Sequence, residues 1–236
     1  MLEAIRRLGV EKRWVFGIVL GIVTVTFVGT MGWMGMSGPS GAYAAKVNGE
    51  VVLLGDFKEA YRNTYRNYER MLGDKFDPDL MKSLNLPLQV VMQLVDRKLW
   101  LSLGHDLGLA ATDDEVRDAL MSIQAFQTNG RFNSRRYQDV LQRINSSPEA
   151  FENGMRDDLV IEQARQIVGG AVRLTDADLK DLPPPDKDAT PEDAARQQAD
   201  QRRSLLSRKR AQLLMGYTAY LRKEADIRIF QENLGV

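Results

Sequence analysis

Cysteine is absent from the 236 residues, and histidine occurs once, at position 105. The first absence excludes disulfides, iron–sulfur clusters, thiolate zinc sites and thiol nucleophiles. The second excludes a histidine pair as metal ligands or as a proton relay. Neither sign of charge is in excess: lysine plus arginine and aspartate plus glutamate each number 32. No surplus is available to hold a polyanion by counterion release, so nucleic acid is not an expected partner. P-loop, GxSxG and HExxH motifs are missing. The neighbouring carboxylates Asp113/Asp114 and Asp157/Asp158 point to different helix faces and do not form an acid–base pair. His105 follows Gly104 at a helix end, where an imidazole serves terminal carbonyls. The expectation is a protein with no catalytic residue, no cofactor and no metal, with room for one anchor and one domain of ordinary size.

What is present begins with an uncharged run from Trp14 to Met36. As a helix it measures about 34 Å, enough to cross a bilayer core of ~30 Å. Trp14 and Trp33 sit near its ends, and Arg6, Arg7, Lys12 and Arg13 precede it, which places residues 1–13 in the cytoplasm and everything from about Ser37 onward across the membrane. A cleaved secretory signal is the rival reading, because Ala42-Tyr43-Ala44 before Ala45 has the small-x-small form; the run is longer than a signal core. Gly17 and Gly21 form a GxxxG through which two such helices would pair as a homodimer, although glycine is frequent in membrane helices generally. Residues 37–44 read as a linker.

The remainder reads as mainly α. Asn48-Gly49 predicts a type I′ turn in a small ribbon. Asp56 is placed to cap a helix to about Leu72 carrying Phe57, Tyr61, Tyr65 and Tyr68. From Pro87 to Gly104 the chain is apolar nearly all round, with only Gln89, Gln93 and Asp96 to Lys98 as a polar strip, so this helix should be central; three mid-helix charges exclude it as a second span. Thr112-Asp113-Asp114-Glu115 is a capping box. Phe126, Asn129-Gly130 and Phe132 form a loop before a helix with Tyr137 and Leu141, and Ser147-Pro148 opens another with Phe151 and Met155, ending at Gly169-Gly170. Residues 173–193 read as a stiff, acidic, Pro-rich linker. A long helix then starts at Thr190-Pro191, and its run of six basic residues against one acidic from Arg196 to Arg210 reads as a solvated face. Ile227 to Phe230 alternates as a strand and is expected to pair with the early ribbon.

Ala45 to Glu50, Leu94-Val95-Asp96-Arg97-Lys98-Leu99, the Thr112 cap, and Ala125 to Phe132 followed by Tyr137 and Leu141 together resemble the N-terminal chaperone domain of the SurA and PpiD family. The preceding anchor resembles the PpiD type within it. The resemblance covers about Met1 to Val172, and the last helix and strand resemble the C-terminal segment that in this family folds back on the N-terminal domain. It implies a mainly α fold: a transmembrane helix over 14–36, a chaperone domain over 45–172, and residues 194–236 completing its small ribbon. Family members place parvulin prolyl-isomerase domains between these parts. Here the gap is about 30 residues, too short to bury a core, so chaperone binding without isomerase activity is expected.

A chaperone that works without ATP needs an accessible apolar surface. Phe126, Phe132, Tyr137, Phe151 and Met155 are the candidates to line it, with plain core as the competing reading. The function expected is a single-pass inner-membrane holdase whose periplasmic domain binds unfolded or nascent polypeptides. The alternative is an envelope scaffold subunit that binds one specific membrane partner.

Overall fold

Asn48 and Gly49 both take positive φ, 49° and 92°, which is the type I′ turn that the right-handed twist of two short strands selects. The computed structural model describes residues 43–144, 146–186 and 190–235; the run from Trp14 to Met36 and the Gly17/Gly21 pair lie outside them. Strands β1 (Tyr43–Val47) and β2 (Glu50–Leu53) flank the turn. On the other side of β1 lies β5 (Ile227–Ile229), with Ala45 opposite Ile229 and Val47 opposite Ile227. The sheet order is therefore β2-β1-β5. β1 takes in Tyr43 and Ala44, the last two residues of the expected linker. A register shift between Tyr43 and Ala45 lets Ala44 and Ala45 both be buried, and the Ala44 carbonyl accepts the Phe230 N–H at 3.0 Å. Of the small-x-small site, Tyr43 and Ala44 belong to β1, Tyr43 exposed and Ala44 buried.

Helix α1 (Leu54–Leu72) follows β2 without a side-chain cap. The expectation that Asp56 caps it is corrected. Leu53 is the N-cap and Asp56 is the third helical residue, whose carboxylate reaches back toward the Leu53 N–H. A 3₁₀ turn (Gly73–Lys75) and α2 (Pro78–Ser83) lead to α3 (Leu86–Asp106), the apolar helix expected at the centre. α4 (Asp113–Ser122) starts at the Thr112/Glu115 capping box, both bonds of which are made. A two-residue hairpin follows, β3 (Gln127–Thr128) and β4 (Arg131–Phe132), where a loop was expected. Its turn residues Asn129 and Gly130 again have positive φ. Helices α5 (Ser134–Arg143) and α6 (Pro148–Gly170) are capped by Asn133 and Ser147.

The segment between α6 and the last helix, expected as a stiff linker, is tied to that helix. Thr175 and Asp178 form a second capping box for α7 (Asp176–Lys180). Asp178 accepts from Lys209 at 2.5 Å, and the Asp186 N–H donates to Gln197 at 3.1 Å. As the connector advances from 178 to 186, its partners on α8 (Pro191–Glu224) recede from 209 to 197. It is a strap running antiparallel to α8 for about 18 Å.

Three apolar clusters result. The first joins the sheet to α1, α2 and the first half of α3 through Val47, Val52, Phe57, Val91 and Val95, with Leu234 closing it. The second lies among α4, the hairpin, α5 and the start of α6. The third is Trp100, Ile161 and Ala164 of α3 and α6 under Leu214, Tyr217 and Leu221 of α8. Gly104 sits where α3 and α6 cross: a Cβ there would lie 2.5 Å from Val160 Cγ1. Among the described residues no helix is long and apolar enough to cross a membrane.

Candidate functional site

Four of the five residues expected to line a client groove are buried. Phe126 and Phe151 are 2% exposed, Met155 4% and Tyr137 8%. They converge from the turn before β3, α5 and α6 onto one another: ring centres are 5.0 Å apart for Phe126–Tyr137 and 5.5 Å for Phe126–Phe151, both edge-to-face. Phe132 alone is half-buried, its ring centre 5.8 Å from that of Tyr137. The Tyr137 hydroxyl donates to Glu152 at 3.2 Å, and burial raises its pKa. For Phe126, Tyr137, Phe151 and Met155 the burial supports the competing reading, plain core, over a lining of an open groove. The capping box and the hairpin fold α4 and α5 back onto α6, so the aromatic side chains are this lobe's own core.

The apolar surface that does stay half-open is on α1. Phe57, Tyr61 and Tyr65 stack along the helix with ring centres 6.1 and 6.0 Å apart, and Phe76 meets Tyr65 edge-on at 5.1 Å. Phe57 is fully buried, whereas Tyr61, Tyr65, Tyr68, Leu72, Phe76 and Leu88 are partly buried against the first cluster. Burial raises the Tyr61 pKa. This shelf of rings offers adaptable contact with hydroxyls that tolerate water. The spacing of its tyrosines was legible, but it is the same spacing a core stripe has. The signal lay in residue type, since a run of tyrosines is less suited than leucine to full burial.

The polar strip of α3 is a three-way tie. Asp96 accepts two hydrogen bonds from Arg222 of α8, at 2.6 and 2.5 Å. Arg97 donates to Asp158 and to the Gly154 carbonyl of α6 and lies 3.6 Å from Asp157. Lys98 pairs with Glu50 of β2 at 2.8 Å and holds that carboxyl below its usual range. Two carboxylates share the Arg97 guanidinium, and Asp158 Oδ2 is buried without a hydrogen bond. Burial pushes the Asp158 carboxyl up to about 6 despite Arg97. These groups are committed to holding elements together. His105 is exposed at the end of α3, and among the described residues no three His, Cys, Asp or Glu side chains gather as a metal site.

The described residues form a helical domain with a three-stranded ribbon closed by its own C-terminal strand and a half-open aromatic shelf on α1. The SurA-like N-terminal domain matches residues 1–165, and the chain belongs to that family. It is 29% identical over 163 residues to the periplasmic chaperone PpiD of Escherichia coli (strain K12), a match that covers 66% of this chain and 26% of the relative. With the periplasmic chaperone PpiD of Haemophilus influenzae it shares 27% over 169 residues, 69% of this chain and 26% of the relative. The chain thus spans about a quarter of the length of these relatives.

Proposed function

We propose that this protein is a membrane-anchored periplasmic chaperone of the holdase type. Residues 14–36 cross the inner membrane once with the N-terminus in the cytoplasm, and the domain on the far side holds unfolded or newly translocated polypeptide without ATP. The observation that carries this reading is the half-open shelf Tyr61, Tyr65, Tyr68, Leu72 and Phe76 in a domain of a family whose relatives are named as periplasmic chaperones. Capture by such a shelf is reversible and tolerant of sequence, because flat rings need no matching side-chain shape. Phe132, the half-buried member of the aromatic lobe, is a second contact point. Between α6 and α8 the strap holds one five-residue helix, which supports a chaperone without prolyl-isomerase activity at that point of the chain.

The test uses the full chain in lipid nanodiscs and a chemically denatured protein diluted beside it. Light scattering should fall without ATP, and Tyr65→Ala with Tyr68→Ala should weaken the protection several-fold, with Phe132→Ala as a separate arm. Equal protection by the double variant would remove the shelf from the reading. The alternative, a scaffold for one specific membrane partner, predicts a single stoichiometric companion on affinity capture and no protection of unrelated proteins.

A further inference from the structure

Helix α1 carries Lys58, Arg62, Arg66 and Arg70 at a constant spacing of four, all exposed. They form a row about 18 Å long that flanks the aromatic shelf, about a quarter-turn around the helix from it. Like charges one turn apart repel, and exposed helices usually offset them with carboxylates. On α4 and the first part of α8 such offsets are made: Arg117 pairs with Asp114, Arg196 with Glu192 and Arg203 with Asp200. Among the described residues no member of the α1 row is in an ion pair. Arg66 and Arg70 are instead held by neutral partners, donating to Asn63 at 2.7 Å and to Asn67 at 2.5 Å. An amide orients a guanidinium without neutralising it. Beyond the first turn, Glu59 and Glu69 are the helix's only carboxylates, against four cations.

The position of the row adds a second argument. Leu53, the N-cap of α1, lies opposite Tyr43 in the sheet, and Tyr43 is where the chain enters the domain. Lys58 is therefore about one helical turn from that entry point. Only residues 37–42 separate Tyr43 from the apolar run that ends at Met36, and six residues reach at most about 21 Å.

We infer that α1 docks the domain on the bilayer, with Lys58, Arg62, Arg66 and Arg70 binding the phosphates of anionic lipid headgroups. The inference rests on the single-pass reading of residues 14–36. A tether this short keeps the headgroups at high effective concentration, so a row of exposed cations suffices where it would not hold a ligand free in solution. The docked row also turns the aromatic shelf sideways along the membrane surface, where an emerging chain would meet it.

The absence of cysteine permits a single label by Glu69→Cys in the full chain. The chain is reconstituted in vesicles of phosphatidylcholine alone or with phosphatidylglycerol, and energy transfer from a dye at position 69 to a headgroup acceptor is read. Transfer should rise when phosphatidylglycerol is present. It should return to the phosphatidylcholine level at high salt, and also when Arg62→Gln, Arg66→Gln and Arg70→Gln are combined, with helicity and melting unchanged. Equal transfer in the two vesicle types, or a rise that survives the triple change, overturns the docking. So does an acidic peptide in solution that binds the row while lipid composition has no effect. Alkaline extraction separates the premises: protein washed off the vesicles refutes the anchor, whereas protein that stays with composition-independent transfer refutes the docking alone.

Discussion

Buried carboxyl groups, Asp56 and the Asp157/Asp158 pair, make this fold sensitive to protons in an uncommon direction. Burial raises Asp56 to about 7, opposed by the backbone N–H groups of Asp56 and Leu53, and raises Asp158 to about 6. Each has an oxygen that is buried without a hydrogen bond. The folded state binds these protons more tightly than the unfolded chain, whose carboxyls titrate near 4. Their contribution to stability is therefore fully present below about pH 4 and is lost as pH rises through 6 and 7. Thermal melts of the full chain should give a higher midpoint at pH 5 than at pH 8, and Asp56→Asn should flatten that slope. A midpoint that falls on acidification over this range would show that neither carboxyl is buried as described. At the crossing of α3 and α6, Gly104→Ala should destabilise by about 1 to 3 kcal/mol through overpacking against Val160, and Val160→Ala should restore much of it. The measurement is a denaturant midpoint for the single and double variants.

Each element is set by its ends and by one committed face. The Thr112 capping box fixes the start of α4, and its loss in Thr112→Ala should destabilise by about 1 kcal/mol, read as a lower denaturant midpoint with unchanged slope. α8 is the opposite case. It has 34 residues, none of them fully buried, and its attachment depends on Leu214, Tyr217 and Leu221 beside Trp100, whose indole N–H donates to Thr218 at 3.0 Å. A repeat of four through Leu213, Tyr217 and Leu221 is visible in the sequence, but Leu214 is the residue that meets the third cluster, since the helix presents the side between these rows to α6. β5 extends the same attachment into the sheet. Truncation after Gln201 would strip the outer strand from β1 and uncover Trp100 and Ile161 together. Burial of each large side chain is worth roughly 1.5 to 3 kcal/mol, so the shortened chain should aggregate or melt far below the intact one. Equal melting temperature and cooperativity would mean that α8 and β5 are accessory.

For the whole molecule, the proposed single-pass anchoring predicts that protease added to spheroplasts digests residues beyond about 43 and leaves a small membrane-embedded fragment; full protection of the domain would reverse the topology. The order of elements was legible in the chain because local rules fix it. Asn48-Gly49 and Asn129-Gly130 demand their turns, Thr112 and Ser147 their helix starts, and the unbroken apolarity around Val91, Val95 and Leu99 a central helix. The alternation of Ile227 and Ile229 marked a strand needing a partner. What the residues did not disclose is which aromatics stay open. Phe126, Tyr137 and Phe151 sit in loop-like or amphipathic sequence that fits a groove or a core alike, and four chain segments close on them, leaving only Phe132 half-buried; Tyr61, Tyr65 and Tyr68 repeat as a core stripe does, yet too little packs above them to cover them. The strap that lies along α8 reads as a stiff exposed linker, because proline and acidic composition report on local stiffness and solvation and not on docking. Asp96, Arg97 and Lys98 read as one polar strip, but tertiary structure sends each to a different neighbour. Periodicity and capping depend on near neighbours in the chain, which the sequence by itself determined; openness, docking and charge pairing depend on what other elements bring from about ten to well over a hundred residues away, and only the tertiary structure decided those.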